Sequence, residues 1–185
     1  MTRKRLRVPP TGAVLGIFLV PLLFACGQGR EGEGPDPEGT AVIPADSDPD
    51  RLEVTRLAYE FMEALSSRDV QRLDQMMAPH ARLFSIREGE EGADYRVRTR
   101  EEFLEGLAQE GPEFVERIWE PVVELKGRIG MVWAPYDFHV SGELTHCGID
   151  VLAFLKMGEG WKVTSITYNL VTDDCPVSPL GPEEG

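Results

Sequence analysis

From residue 50 onwards the apolar positions of the chain fall into two periods, first 3.6 and then 2. Val54, Leu57, Ala58, Phe61, Met62 and Leu65 share one helical face, and Asp50 with Glu53 forms a capping box ahead of them. Asp69 caps a second, short helix carrying Leu73, Met76 and Met77, which Pro79 stops. Two short strands are expected near residues 81–87 and 95–99. Thr99 and Glu102 then form another capping box, opening a helix with Phe103, Leu104, Leu107 and Ala108 that ends at Gly111-Pro112. Beyond Pro112 the alternation is that of strands, over 114–125, 129–140, 144–156 and 161–172, with tight-turn pairs at Lys126-Gly127, Ser141-Gly142 and Gly158-Glu159. Helices followed by an antiparallel meander predict an α+β domain whose curled sheet covers the helices.

Upstream of residue 50 neither period holds. Arg3-Lys4-Arg5-Arg7 is followed by an apolar run through Val14, Leu15, Ile17, Phe18, Leu19, Val20 and Leu22, and then by Leu23-Phe24-Ala25-Cys26. Charge, grease and a small residue in that order read as a secretory signal. The apolar run is about 15 residues and is broken by Pro21, whereas spanning a bilayer takes roughly 20. Cys26 directly after Ala25, with Leu23 two places before Ala25, resembles the lipobox of bacterial lipoproteins, whose cysteine becomes the acylated first residue. The resemblance implies a signal peptide over 1–25, a lipid on Cys26 and a place in the cell envelope facing outside the cytoplasm. Gly27, rather than Asp, implies the periplasmic side of an outer membrane where the cell has one. Residues 26–50, rich in Gly, Pro, Glu and Asp, read as a disordered tether. Within them Gly27-Gln28-Gly29-Arg30-Glu31-Gly32 matches GxGxxG, but no strand precedes it and no helix follows, so it holds no dinucleotide. The folded domain is expected over 51–175, and 176–185 as a flexible tail.

The formal net charge is −13, and loss of the leader would remove four cations and no acid. Such a chain lacks the basic footprint that nucleic acid requires. It also lacks the charge for docking on anionic lipid, which leaves membrane attachment to Cys26. With Cys26 acylated, Cys147 and Cys175 remain, as a bridged pair or as two separate thiols. The three histidines, His80, His139 and His146, do not form a metal cluster, and no cysteine pair has zinc spacing. GxSxG, HExxH and Walker sequences are absent, so neither a metal nor a cofactor is expected. Arg96, Arg98 and Arg100 read as a solvated charge run that could also attract an anion.

A family resemblance rests on five phrases in order: Leu65-Ser66-Ser67-Arg68-Asp69, Met77-Ala78-Pro79-His80-Ala81, Met131-Val132-Trp133, His146-Cys147-Gly148-Ile149-Asp150 and Gly160-Trp161-Lys162-Val163. Together they resemble the SnoaL-like, nuclear-transport-factor-2-like superfamily over roughly residues 50–172. That resemblance implies a cone-shaped α+β roll with a pocket on the concave side of the sheet, often dimeric. It implies no reaction, because the superfamily includes isomerases, polyketide cyclases, hydrolases and members that only bind or assemble.

If the hairpins carry no bulge, the turn at Ser141-Gly142 sets Asp137 opposite His146 and Trp133 opposite Asp150, and the turn at Gly158-Glu159 sets Asp150 opposite Thr167 and Gly148 opposite Asn169. One face then carries Trp133, Asp137, His146, Asp150, Thr167 and Asn169, and the other carries Tyr136, Phe138, Cys147, Ile166 and Tyr168. On that register Asp137 would orient His146 as an acid or base, and Asp150 would hold its proton to unusually high pH. Should the more apolar face line the pocket instead, Tyr136 and Tyr168 become its polar handles. Three functions follow: an anchored module binding a small, largely apolar ligand; a proton-transfer enzyme using Asp137 with His146, or Asp150; and an assembly part with Trp133 and Trp161 on an exposed patch. The first is preferred over catalysis, because the residues do not complete a catalytic set.

Overall fold

The computed structural model describes residues 48–89, 92–158 and 160–183. The expected signal peptide, Cys26 and most of the tether lie outside the described residues. Helix α1 (Pro49–Ser66) is followed by α2 (Val70–Met76), strands β1 (Met77–Gly89) and β2 (Gly92–Thr99), α3 (Arg100–Leu107), and then β3 (Phe114–Ile118), β4 (Val122–Lys126), β5 (Ile129–Val140), β6 (Glu143–Met157) and β7 (Gly160–Leu170). The seven strands form one curved sheet in the order β2-β1-β7-β6-β5-β3, with β4 also paired to β5. Every pairing is antiparallel except β1 with β7. The sheet stays open, and three helices cover its concave side.

Caps position the helices. Thr99 and Glu102 form the reciprocal capping box, and Asp69 accepts from the Arg72 amide. The first helix begins earlier than its capping pattern suggests, because Pro49 has a preset φ and no amide proton to lose. Asp48 caps it by accepting from the Asp50 amide at 3.0 Å. Asp50 is thereby released to bind across the domain, receiving Lys156 Nζ at 2.5 Å and Trp161 Nε1 at 3.2 Å. Val54, Ala58, Phe61 and Met62 of α1 are buried with Val132, Ala134, Leu152, Phe154 and Val163 of the sheet in a continuous core. Each of the larger side chains among them, Val, Leu, Phe or Met, contributes about 1.5–3 kcal/mol of burial.

Three departures from regular strands decide which residues share a face. The strand expected over 114–125 is two, divided at Trp119-Glu120-Pro121, where Glu120 has φ of 44° and Pro121 has no amide to pair. The β5–β6 hairpin turns through Ser141 and Gly142, both at positive φ, as a type I′ two-residue loop requires. Its ladder then slips by one residue between Phe138 and His139, leaving Thr145 as the extra residue. A second slip, between Ala153 and Phe154, makes Thr164 the extra residue of β7. Both bulges are tied the same way: Thr145 Oγ1 donates to the Phe138 carbonyl at 3.1 Å and Thr164 Oγ1 to the Ala153 carbonyl at 3.2 Å.

Cys147 and Cys175 are joined, with Cα atoms 5.8 Å apart. The link holds the segment after β7 against the outer side of β6, and Arg117 Nη2 holds it again through the Gly181 carbonyl at 3.1 Å.

Candidate functional site

The two slips redistribute the expected site. His146 stands opposite Phe138, not Asp137, and Asp150 stands between Ala134 and Tyr168 instead of between Trp133 and Thr167. Because side chains alternate, a one-residue slip on each flank of β6 sends Trp133, Asp137, Thr167 and Asn169 to the outer side. Tyr136, Phe138, Ile166 and Tyr168 join His146 and Asp150 on the concave side. There they line a cavity of about 260 Å³ with Phe61, Met62 and Leu65 of α1, Leu83 of β1, Phe103 and Leu107 of α3, and Phe114 and Glu116 of β3.

Aromatic rings make one wall of this chamber. Phe138 stacks on Phe114 at 5.1 Å and on His146 at 4.7 Å, and Tyr136 meets His146 and Tyr168 edge-on at 5.8 and 6.5 Å. Beside this wall Arg68 lies 4.7 Å from the Phe114 ring centre and donates to the carbonyls of Leu107, Gln109 and Pro112. Tyr136 crosses over Gly148 to donate its hydroxyl to the Asn169 carbonyl at 2.8 Å. Asn169 in turn fills a gap in the ladder by accepting the Ile149 amide on its side chain at 2.7 Å. A Cβ at Gly148 would sit 2.7 Å from that Asn169 side-chain oxygen and 2.8 Å from the Tyr136 ring, so the crossing requires glycine.

The most buried polar group is the Asp150 carboxyl, beside the partly buried Glu116. Asp150 is 1% exposed, and neither of its oxygens has a hydrogen-bond donor within reach. Its neighbour is Glu116, and with no donor supplied to either Asp150 oxygen the two carboxyl groups cannot both ionise at little cost. Burial, and then the negative charge of Glu116, raises the Asp150 pKa well above the usual carboxylate range. Burial likewise raises Glu116 to about 7, against the opposing charge of Arg98. The pair therefore keeps one proton near neutral pH. Ser66, at the end of α1, positions Glu116 by accepting its amide at 3.0 Å. His146 is pushed the other way, below the ordinary histidine value, by burial and by the charge of Arg87, so it is a neutral ring with Nδ1 2.9 Å from Thr145 Oγ1.

The remaining expected residues lie elsewhere. Asp137 does not orient His146: it accepts from Arg117 Nε at 2.9 Å and Nη2 at 2.6 Å on the outer side, with His139 Nε2 at 3.5 Å. Burial opposes its ionisation, yet Arg117 and His139 outweigh that and hold its pKa below the usual range. Trp133 is on the outer face at 46% exposure, and Thr167 is exposed there too. Trp161 is buried at 3%, so no exposed patch contains both tryptophans. Glu116 is a functional candidate that sequence reasoning missed, whereas Arg98 was read as part of a solvated charge run that could attract an anion. Glu116 had a visible signal, an acid between Phe114 and Ile118 on what alternation makes the apolar face of a strand.

Comparison with solved structures shows the fold again. An NTF2-like protein with a cystatin-like fold from Novosphingobium aromaticivorans aligns with TM-score 0.57 at 12% identity, over 68% of this chain and 84% of that one. An NTF2-like protein from Cytophaga hutchinsonii aligns with TM-score 0.56 at 12% identity, over 67% and 100%. The beta subunit of an aromatic-ring-hydroxylating dioxygenase, so described, from Novosphingobium aromaticivorans aligns with TM-score 0.56 at 11% identity, over 72% and 96%. No curated protein matches the sequence. The resemblance expected from the five phrases is thus supported at the level of fold: the chain has an NTF2-like domain, and with residues 49–169 matched it belongs to the family described as "Putative lumazine-binding".

Proposed function

We propose that the cone binds a small, largely apolar ring compound. The observation that carries this is the aromatic chamber closed at its inner end by the Glu116–Asp150 pair, which offers one donor and one acceptor in otherwise apolar surroundings. The family description names lumazine, a flat bicyclic ring with polar edges, and the stacked wall of Phe114, Phe138 and His146 suits that shape. Native mass spectrometry of the purified full chain, with thermal shifts against lumazine and 2-naphthol, tests the reading. A retained ligand or a raised Tm, lost in Phe138→Ala, is expected. Empty protein with no shift for any compound sinks it. The same spectra read assembly: Val122, Ile129 and Trp133, exposed on the outer face, support pairing of two copies.

The carboxyl pair favours a second reading, proton transfer to or from the bound ring. A group titrating near 7 beside one that stays protonated is suited to general acid–base work. In that case the same protein would speed solvent deuterium entry into 2-tetralone, and Asp150→Asn would stop it. Exchange at the buffer rate leaves binding alone.

We infer also that Cys26 carries lipid and holds the domain at the cell envelope, outside the cytoplasm. The order of residues 3–26 supports this, as does the link between Cys147 and Cys175, since such links belong to oxidising compartments.

A further inference from the structure

The β1–β2 hairpin turns the wrong way for a surface hairpin. On β2, Asp94, Arg96 and Arg98 alternate with Tyr95 and Val97, and on β1, Ser85 and Arg87 alternate with Phe84 and Ile86. Pairing sets Arg96, Ser85 and Tyr168 in one row and Asp94, Arg87 and Leu170 in the next. The charged members face the concave side, where Tyr168 and Leu170 line the chamber, while Phe84, Ile86, Tyr95 and Val97 are left 38–74% exposed outside. A hairpin answering only to solvent would do the reverse.

The inward set forms a groove of about 340 Å³ lined by Ser85, Arg87, Asp94, Arg96, Arg98 and Tyr168. Arg98 and Tyr168 belong to the chamber wall as well, so groove and chamber adjoin. Three arginines meet one aspartate here in a chain of net charge −13. Arg96 lies 3.6 Å from Asp94 with both side chains largely in water. Among the residues whose side chains are described, no carboxylate is within ion-pair distance of Arg87 or Arg98. Arg98 is held in place, donating to the Tyr168 hydroxyl at 2.8 Å with its guanidinium 5.6 Å from the Phe103 ring centre.

We propose that this groove takes the carboxylate of the ligand whose ring occupies the chamber, so that the ligand is an apolar organic acid. The proposal rests on the chamber-binding reading above. Guanidinium forks match a carboxylate in two-point contact. The acidic pair at the inner end repels that carboxylate and the arginines at the outer end attract it, which fixes which end of the molecule enters first.

Calorimetry on the purified full chain with 2-naphthoate and 2-naphthamide, alike in shape and different in charge, tests the groove. The acid is expected to bind at least about tenfold more tightly at low salt, with the preference shrinking as salt rises. Arg87→Gln and Arg96→Gln should each weaken the acid roughly tenfold and leave the amide unchanged. Amide binding as tight as acid binding, or variants that weaken both alike, would overturn the groove and leave the chamber reading intact. If neither compound binds, both fall together.

Discussion

Glu116 and Asp150 are where single residues make a measurable difference. In the unfolded chain Glu116 ionises near 4.5, and in the fold it holds its proton to about 7. The folded state binds that proton more tightly, so the contribution is complete below about pH 4.5 and is lost as pH rises through 7. The loss amounts to about 3 kcal/mol, and Asp150, also raised, adds to it in the same direction. His146 and Asp137 work oppositely: their lowered values cost stability as pH falls below 6.5 and 3.8 respectively. Comparison with Glu116→Gln separates the two effects. Urea unfolding at pH 5 and pH 8 should show the variant gaining on the native protein by up to about 3 kcal/mol at the higher pH. An equal difference at both values would mean that the pair holds no extra proton.

At the scale of elements, helices were more legible than strands. Thr99 with Glu102 and Asp69 announce their helices because a cap is a local bargain between neighbours in sequence. The concave face of the sheet was not legible, since it depends on Thr145 and Thr164, whose hydroxyls bind carbonyls on the next strand and whose bulges have no marker in the pattern. Along β6 alone, alternation does group His146 with Asp150; it was the partners across the ladder that shifted. Glu116 was hard to read because β3 is only five residues long and ends at Ile118, so the alternation that marks this one acid as inward is short. The segment after β7 is an element in its own right through Cys147 and Cys175, separated by 28 residues. Cys175→Ser is expected to cost about 3 kcal/mol by freeing a loop of that length in the unfolded chain. Denaturant midpoints with and without reductant check this: the native protein should respond to reductant and the variant should not.

For the whole molecule, acidity and attachment are linked. A chain of net charge −13 gains nothing from anionic lipid, so the membrane attachment proposed for it rests on acylation of Cys26. Labelled palmitate fed to a bacterial host should enter the native protein and not Cys26→Ser, and the variant should move to the soluble fraction. A variant that fractionates with membranes as before would remove the lipid from the account. The inverted hairpin has a consequence of a different kind. Among the described residues strand β2 is an edge of the sheet, and Tyr95 and Val97 on its outer side are the sort of residues that invite a neighbouring chain to add a strand. Arg96 and Arg98 alternate with them along that edge, and two such edges brought together would set like charges side by side. The same arginines that give the groove its charge thus guard the protein against aggregation, and a change in what the groove recognises is also a change in colloidal stability.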